Sequence, residues 1–131
     1  MVKIFSKFKI IFYSINFFLI IFYIYPGSLL GLIIYQNIKK QPQITPDFII
    51  SSNHFYVFVI ISIIGFLSFI KKRQVKLLIF YLLFISIFLE ISHLIIPERT
   101  FQWPDLFGNL LGVIIVIFIK NLINKYDFFK K

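Results

Sequence analysis

The residues best suited to chemistry lie between positions 54 and 109 of a chain that is otherwise rich in Ile, Leu and Phe. They are the side chains that could bind an anion, exchange protons or ligate a metal: His54, Glu90, His93, Arg99, Asp105 and Asn109. An ionisable group inside an apolar run is costly to bury, so it is normally paired and often marks a functional site. We take these six as candidate ligand-binding residues, and the sequence assigns no catalytic role to any of them.

Glu90 and His93 are three residues apart, which places both on one face of a helix. Arg99 follows them shortly after Pro97. We expect Arg99 to pair with Glu90. Such a pair would orient a binding or acid-base carboxylate, or would only fix the helix to the loop that follows it.

A second polar face is predicted just beyond this loop. Its members have i, i+3, i+4 and i+7 spacing: Asp105, Gly108, Asn109 and Gly112. The two glycines form a G-x-x-x-G, which lets a neighbouring helix approach closely in lipid. Asp105 comes directly after Pro104 and is also suited to cap a helix N-terminus. Asn109 is expected to bond across to Glu90 or His93.

Two histidines and two carboxylates would suit a metal ion: His54, His93, Glu90 and Asp105. No H-E-x-x-H or equivalent spacing accompanies them. On the sequence alone we predict neither a metal ion nor a cofactor.

Composition indicates the solvent around these residues. The chain has 131 residues, of which 60% are hydrophobic, and it has no Cys and a net charge of +9. This apolar content exceeds what a soluble domain of this size could bury. The basic residues lie at the ends of apolar runs, which favours a bilayer over nucleic acid as the partner. We predict one membrane domain over residues 1–131.

The fold class predicted is all-α, a bundle of four transmembrane helices. The spans are placed at about 10–25, 48–70, 77–96 and 104–120, since a helix needs about 20 apolar residues to cross a bilayer. The first is read as an uncleaved anchor, because YPGS does not resemble a signal-peptide cleavage site. Residues 26–47 are too many for a tight turn and include a semi-apolar stretch around Leu29 to Tyr35, predicted as a short interfacial helix.

Orientation follows from the distribution of Lys and Arg. Eleven of the fourteen lie in the N-terminal segment, between the second and third spans, or in the C-terminal tail. The other three are Lys39, Lys40 and Arg99. Because cytoplasmic connections keep the excess of positive charge, both termini are predicted to face the cytoplasm and the six candidate residues to lie towards the outer face.

The stretch from 90 to 112 resembles the VanZ-like family of small bacterial membrane proteins. The pattern E-x-x-[QH], P-x-R, D-x-x-x-N-x-x-G falls on Glu90, His93, Pro97, Arg99, Asp105, Asn109 and Gly112. The resemblance covers about residues 47–120. His93 stands where Gln is common in the family, and position 50, where an acid is usual before the pair His54-Phe55, is Ile, with Asp47 the nearest acid.

The resemblance implies a protein of the bacterial inner membrane with a role in the cell envelope. The founding member is associated with low-level teicoplanin resistance, and other members with cell-wall or polysaccharide functions. Our first hypothesis is a non-catalytic protein whose outward-facing pocket binds the headgroup of a lipid-linked envelope precursor. The alternative is a small periplasm-facing hydrolase or transferase that uses Glu90 or Asp105 and a His for acid-base chemistry. Four short spans leave little room for a transport path unless the protein forms a homo-oligomer.

Overall fold

A computed structural model describes the backbone of residues 2–129 and the side chains of residues 7–126. Within that range the chain forms five α-helices and no strand: α1 (Val2–Ile24), α2 (Leu29–Tyr35), α3 (Ser52–Ser68), α4 (Lys72–Ser92) and α5 (Trp103–Phe129). Three of them contain segments long and apolar enough to cross a membrane: Lys7–Ile24, Lys72–Ser92 and Trp103–Tyr126. The all-helical prediction is confirmed, and these helices are those of a membrane protein.

The four longer helices pack side by side with alternating direction. Tyr23, at the end of α1, meets His54, at the start of α3, while Phe12 meets Phe69 at the opposite end of the same pair. Tyr23 also meets His93 and Phe12 meets Tyr81, so α1 and α4 run one way. His54 meets Asn109 and Lys120 lies over Phe66, so α3 and α5 run the other. We call the end where α1 and α4 finish and α3 and α5 begin the polar end.

The glycine pair of α5 determines how closely the bundle packs. A Cβ on Gly108 would lie 2.7 Å from Ser51 O, and one on Gly112 would lie 2.7 Å from Phe55 O. Helix α5 therefore rests directly on the backbone of α3, as the G-x-x-x-G pattern predicts. The buried core around this contact is apolar and includes Phe58, Ile61, Leu82 and Val113.

Helix bounds depart from the predicted spans where polar groups intervene. Helix α3 begins at Ser52 instead of 48 and is only 17 residues long, because residues 48–50 form bends and the extended Ser51 donates from its N to Pro104 O (3.1 Å). Helix α4 starts at Lys72 and ends at Ser92, after which short i to i−3 turns lead into Pro97. Helices α1 and α5 extend past their predicted spans at the N-terminal and C-terminal ends of the chain.

The short helix predicted between the first two spans is confirmed as α2. Ser28 Oγ caps it by accepting from Gly31 N (2.9 Å), and Gln36 closes it in the left-handed conformation at φ 53°. Of the basic residues used to predict orientation, Lys130 and Lys131 and the side chain of Lys3 lie outside the described residues.

Candidate functional site

A hydrogen-bonded cluster at the polar end joins three helices. The Tyr23 hydroxyl of α1 lies 2.9 Å from His54 Nδ1 of α3 and donates to Asn109 Oδ1 of α5 at 2.9 Å. His54 Nδ1 lies 3.1 Å from the same oxygen, and Asn109 Nδ2 donates to Ser86 O of α4 at 3.1 Å. Asn109 thus connects α5 to α1, α3 and α4, and the expected bond to Glu90 or His93 is wrong.

The second ring nitrogen of His54 lies beside a carboxylate. His54 Nε2 lies 3.3 Å from Asp105 Oδ2, and both side chains are largely buried. Helix α5 begins at Trp103, so Asp105 lies inside its first turn and is not the N-cap. The close approach of α3 and α5 explains this pairing. Gly108, one helical turn after Asp105, packs against His54 Cβ and so brings the two side chains together.

Glu90 is fully buried, with no exposed surface. Its Oε1 accepts from Gln102 N at 2.9 Å, so it fastens the loop after α4 to the helix. Its Oε2 lies 3.3 Å from His93 Nδ1, although the contact lacks hydrogen-bond alignment. Among the side chains of residues 7–126, the buried Glu90 Oε2 and His93 Nε2 have no hydrogen-bond partner. Two polar atoms are thus left available inside the site.

Arg99 does not orient Glu90. Its Nη2 donates to Phe22 O at 2.9 Å and its Nε points to Tyr25 O at 3.3 Å. These carbonyls have no helical partner because α1 ends there, so the guanidinium caps the C-terminus of α1. Burial lowers the pKa of Arg99, against the opposing influence of Tyr23, Asp105 and Glu90. An arginine nevertheless stays charged in proteins.

The structure brings all six predicted residues to the polar end. His54, Glu90 and Asp105 each offer an atom within 4.8 Å of the others, and Asn109 supports His54 from behind. His93 lies beside Glu90, with its ring stacked on Tyr23 at 5.5 Å between centroids. Arg99 lines one cavity together with His54 and His93.

That cavity has a volume of about 560 Å³ and lies between α1, α2, α3 and the segment after α2. Its apolar wall consists mainly of side chains from α1, α2 and α3: Ile15, Phe18, Leu19, Phe22, Leu29 and Val57. Its polar part consists of Tyr23, Ser28, Gln41, Gln43, Asn53, His54, His93 and Arg99. Phe18 is 54% exposed, so the cavity reaches the apolar outer surface of the bundle.

The segment over this cavity is tied to the start of α3. Asn53 Oδ1 accepts from Ile44 N (3.0 Å) and its Nδ2 donates to Pro42 O (2.6 Å). Asp47 Oδ1 accepts from Ser52 N (2.8 Å), which caps α3, since Ser51 makes no capping bond of its own. Asp47 therefore has a structural role at the entrance to the helix.

Tyr23 is the site residue that the sequence did not reveal. It is one of seven tyrosines, and nothing adjacent to it in sequence is charged. The one available signal was periodicity: Phe12, Asn16, Leu19 and Tyr23 recur at helical spacing, and all four are buried. Asn16 marks a second polar contact on this face, where its Oδ1 accepts from the Tyr81 hydroxyl of α4.

The arrangement combines two kinds of chemistry. Two imidazole–carboxylate pairs could exchange protons or hold a cation, and a guanidinium with unused donors could bind an anion. No family model matches the chain, and neither the curated proteins nor the solved structures compared with it include a match.

Proposed function

We propose that the protein is a VanZ-like membrane protein of the bacterial cell envelope that binds an amphipathic lipid at its polar end. The observation that carries the proposal is the cavity, which has apolar walls, a polar inner surface and access from the side of the bundle. A ligand with an acyl or prenyl chain and an anionic head would match both parts. The residue pattern from Glu90 to Gly112 supports the family assignment.

In this proposal Arg99 supplies the anion-binding group. Two of its five N–H groups donate to the carbonyls of Phe22 and Tyr25, which leaves three for a ligand among the described contacts. His93 lines the same cavity, and its Nε2 is buried without a hydrogen-bond partner among the described residues. A phosphate entering the cavity would therefore meet a fixed positive charge and an unsatisfied ring nitrogen.

We further propose four spans with both termini in the cytoplasm, and hence an outward-facing pocket in the inner membrane. Helices α1 and α4 run in the same direction, so the chain must return between them, and only α3 is available for that return. Lys9 packs on Phe69 and Lys120 on Phe66, which gathers basic residues at the end opposite the site. Positive charge favours the cytoplasmic side.

Site-directed labelling tests this topology without interference, since the chain has no Cys. Lys40→Cys, in the exposed connection at the polar end, should react with a membrane-impermeant maleimide in intact spheroplasts. Arg73→Cys, exposed in the first turn of α4 at the opposite end, should react only after permeabilisation. The reverse pattern would overturn the orientation, and labelling of both in intact cells would overturn the crossing by α3.

Lipid binding is tested with purified full-length protein and a polyprenyl phosphate. Arg99→Ala should weaken binding at least tenfold, because it removes the charge at the cavity. Lys39→Ala is the matched control: it removes an exposed cation from the same end, paired only distantly with Glu98 (4.0 Å). Equal binding by wild type and Arg99→Ala would refute the proposal, as would equal loss in both variants, since that would indicate a nonspecific charge effect.

A second candidate, a hydrolase or transferase, is favoured by the two imidazole–carboxylate contacts. His54 with Asp105 and His93 with Glu90 each place a base beside an acid at 3.3 Å. In that case the bound lipid would be a substrate and its headgroup the reacting part. Release of inorganic phosphate from a polyprenyl phosphate or diphosphate by wild type, but not by Asp105→Asn, would select this candidate over binding alone.

A further inference from the structure

The hydrogen bonds around His54 determine which of its ring nitrogens carries a proton. Asn109 Nδ2 donates to Ser86 O, so Asn109 Oδ1 faces Tyr23 and His54 as an acceptor. Tyr23 has one hydroxyl proton and donates it to that oxygen, so its own oxygen, 2.9 Å from His54 Nδ1, must accept. Both neighbours of Nδ1 are acceptors, so Nδ1 carries the hydrogen.

A neutral His54 therefore presents the lone pair of Nε2 to the centre of the site. The atom opposite is Asp105 Oδ2 at 3.3 Å, which also offers a lone pair. Glu90 is a third electron donor: one of its carboxylate oxygens lies within 4.8 Å of a ligand atom of each of the other two residues. Its Oε2 is buried 3.3 Å from His93 Nδ1 and has no hydrogen-bond partner among the described residues. Three donor atoms that converge in this way repel one another unless positive charge lies between them.

We propose that His54, Glu90 and Asp105 bind a divalent transition-metal ion of the Zn²⁺ type. Their donor atoms all lie within 4.8 Å of one another. Ligands at about 2.0–2.1 Å from a tetrahedral ion are separated by about 3.3 Å, which is the distance between His54 Nε2 and Asp105 Oδ2. To ligate the ion directly, the Glu90 carboxylate would rotate so that one of its oxygens reaches the same distance from it.

The surroundings of His54 match those of a metal ligand. A histidine that ligates a metal through one nitrogen usually donates its other N–H to a fixed acceptor, which sets the tautomer and the ring orientation. Asn109 Oδ1 and the Tyr23 hydroxyl supply that acceptor, and Asn109 is itself held by Ser86 O. Mixed nitrogen and carboxylate ligation favours zinc-type ions over Mg²⁺ or Ca²⁺, which prefer oxygen alone.

Three protein ligands leave at least one position of a tetrahedral ion open. His54 also lines the cavity, so a phosphate or carboxylate oxygen of a headgroup could occupy that position. This last step rests on the proposed lipid binding, whereas binding of the ion itself does not.

The test uses the full-length protein, purified in detergent without added lipid and stripped of metal with a chelator. Titration with Co²⁺ should produce the visible absorption bands of a four-coordinate ion and saturate at one equivalent per chain. Zn²⁺ should displace the colour, and Mg²⁺ at the same concentration should not. Absence of these bands, together with no Zn²⁺ retained by the wild type in elemental analysis, would overturn the proposal.

Two variants and a control identify the ligands. Asp105→Asn and Glu90→Gln preserve side-chain size and one acceptor oxygen but remove the negative charge, and each should weaken Co²⁺ binding at least tenfold. Glu98→Gln, an exposed carboxylate outside the cluster, should bind as the wild type does. Unchanged affinity in both site variants would place the ion elsewhere and refute this site. Because no lipid is present, a negative result here leaves the lipid proposal standing, and failed lipid binding leaves the ion site standing.

Discussion

The Tyr23 hydroxyl and Asn109 Oδ1 lie 2.9 Å apart, although 86 positions separate them in the chain. This bond links the first long helix to the last at the depth of the candidate site. It also fixes the His54 ring between them, since His54 Nδ1 is within 3.1 Å of both partners. Positioning of the site therefore depends on a residue of α1, outside the pattern that resembles the VanZ-like family.

Tyr23→Phe should destabilise the bundle by about 1–3 kcal/mol, because Asn109 Oδ1 and His54 Nδ1 lose a shared partner in a buried site. Unfolding in detergent, followed by circular dichroism, measures the change. Tyr13→Phe is the control on the same helix, since Tyr13 is 60% exposed. Equal stability of the two variants would show that the buried hydroxyl contributes nothing to the fold.

Gly112→Ala should destabilise the protein by about 1–3 kcal/mol, because the added methyl would overlap Phe55 O and force α5 away from α3. Helix propensity alone predicts the opposite sign, with Ala more favourable than Gly by about 1 kcal/mol. The sign of the change in unfolding free energy therefore separates packing from propensity. Leu111→Ala, at an exposed neighbouring position, should have little effect.

Glu90→Gln and Glu90→Leu should differ. Gln retains an acceptor for Gln102 N, whereas Leu leaves that buried donor unpaired at a cost of about 1–3 kcal/mol. Amide hydrogen exchange at Gln102 should therefore accelerate in the Leu variant only. If exchange were equally fast in both, the negative charge of Glu90 and not its hydrogen bond would be what holds the loop.

Asp47→Ala should loosen the first turn of α3 and cost about 0.5–2 kcal/mol, the usual value for loss of a helix cap. Asp47→Asn keeps an acceptor for Ser52 N and should retain most of that stability. Hydrogen exchange across residues 52–55 measures the change locally. Indistinguishable exchange in Asp47→Ala and wild type would remove Asp47 from the cap.

The helices could be predicted from the sequence because apolar length is a local property. The same holds for α2, whose bounds Leu29–Tyr35 coincide with the predicted stretch, and for the glycine face of α5. The predicted start of α3 is wrong, because the apolar run begins before the helix, with Phe48 and Ile49 in exposed bends. Hydropathy does not distinguish an interfacial bend from a helical turn.

The membership of the site could be predicted, but the pairing within it could not. Spacing placed Glu90 with His93 and Asp105 with Asn109, and the structure keeps each pair on one helix face. Which face meets which depends on the rotation of each helix about its axis, and contacts far apart in sequence set that rotation. Arg99 lies in the loop after α4, and the path of that loop carries its side chain to the end of α1 and not to Glu90, which spacing along the sequence does not indicate.

The 17 residues of α3 amount to a rise of about 25 Å, whereas hydrocarbon in a typical bilayer is about 30 Å thick. Its outward side chains, including Ile60, Ile63 and Leu67, must still be covered by lipid in the proposed topology. Acyl chains beside α3 would compress, and each ångström of mismatch costs a fraction of a kcal/mol. Membrane thickness thus becomes a determinant of where in the cell this chain is most stable, with thinner regions preferred.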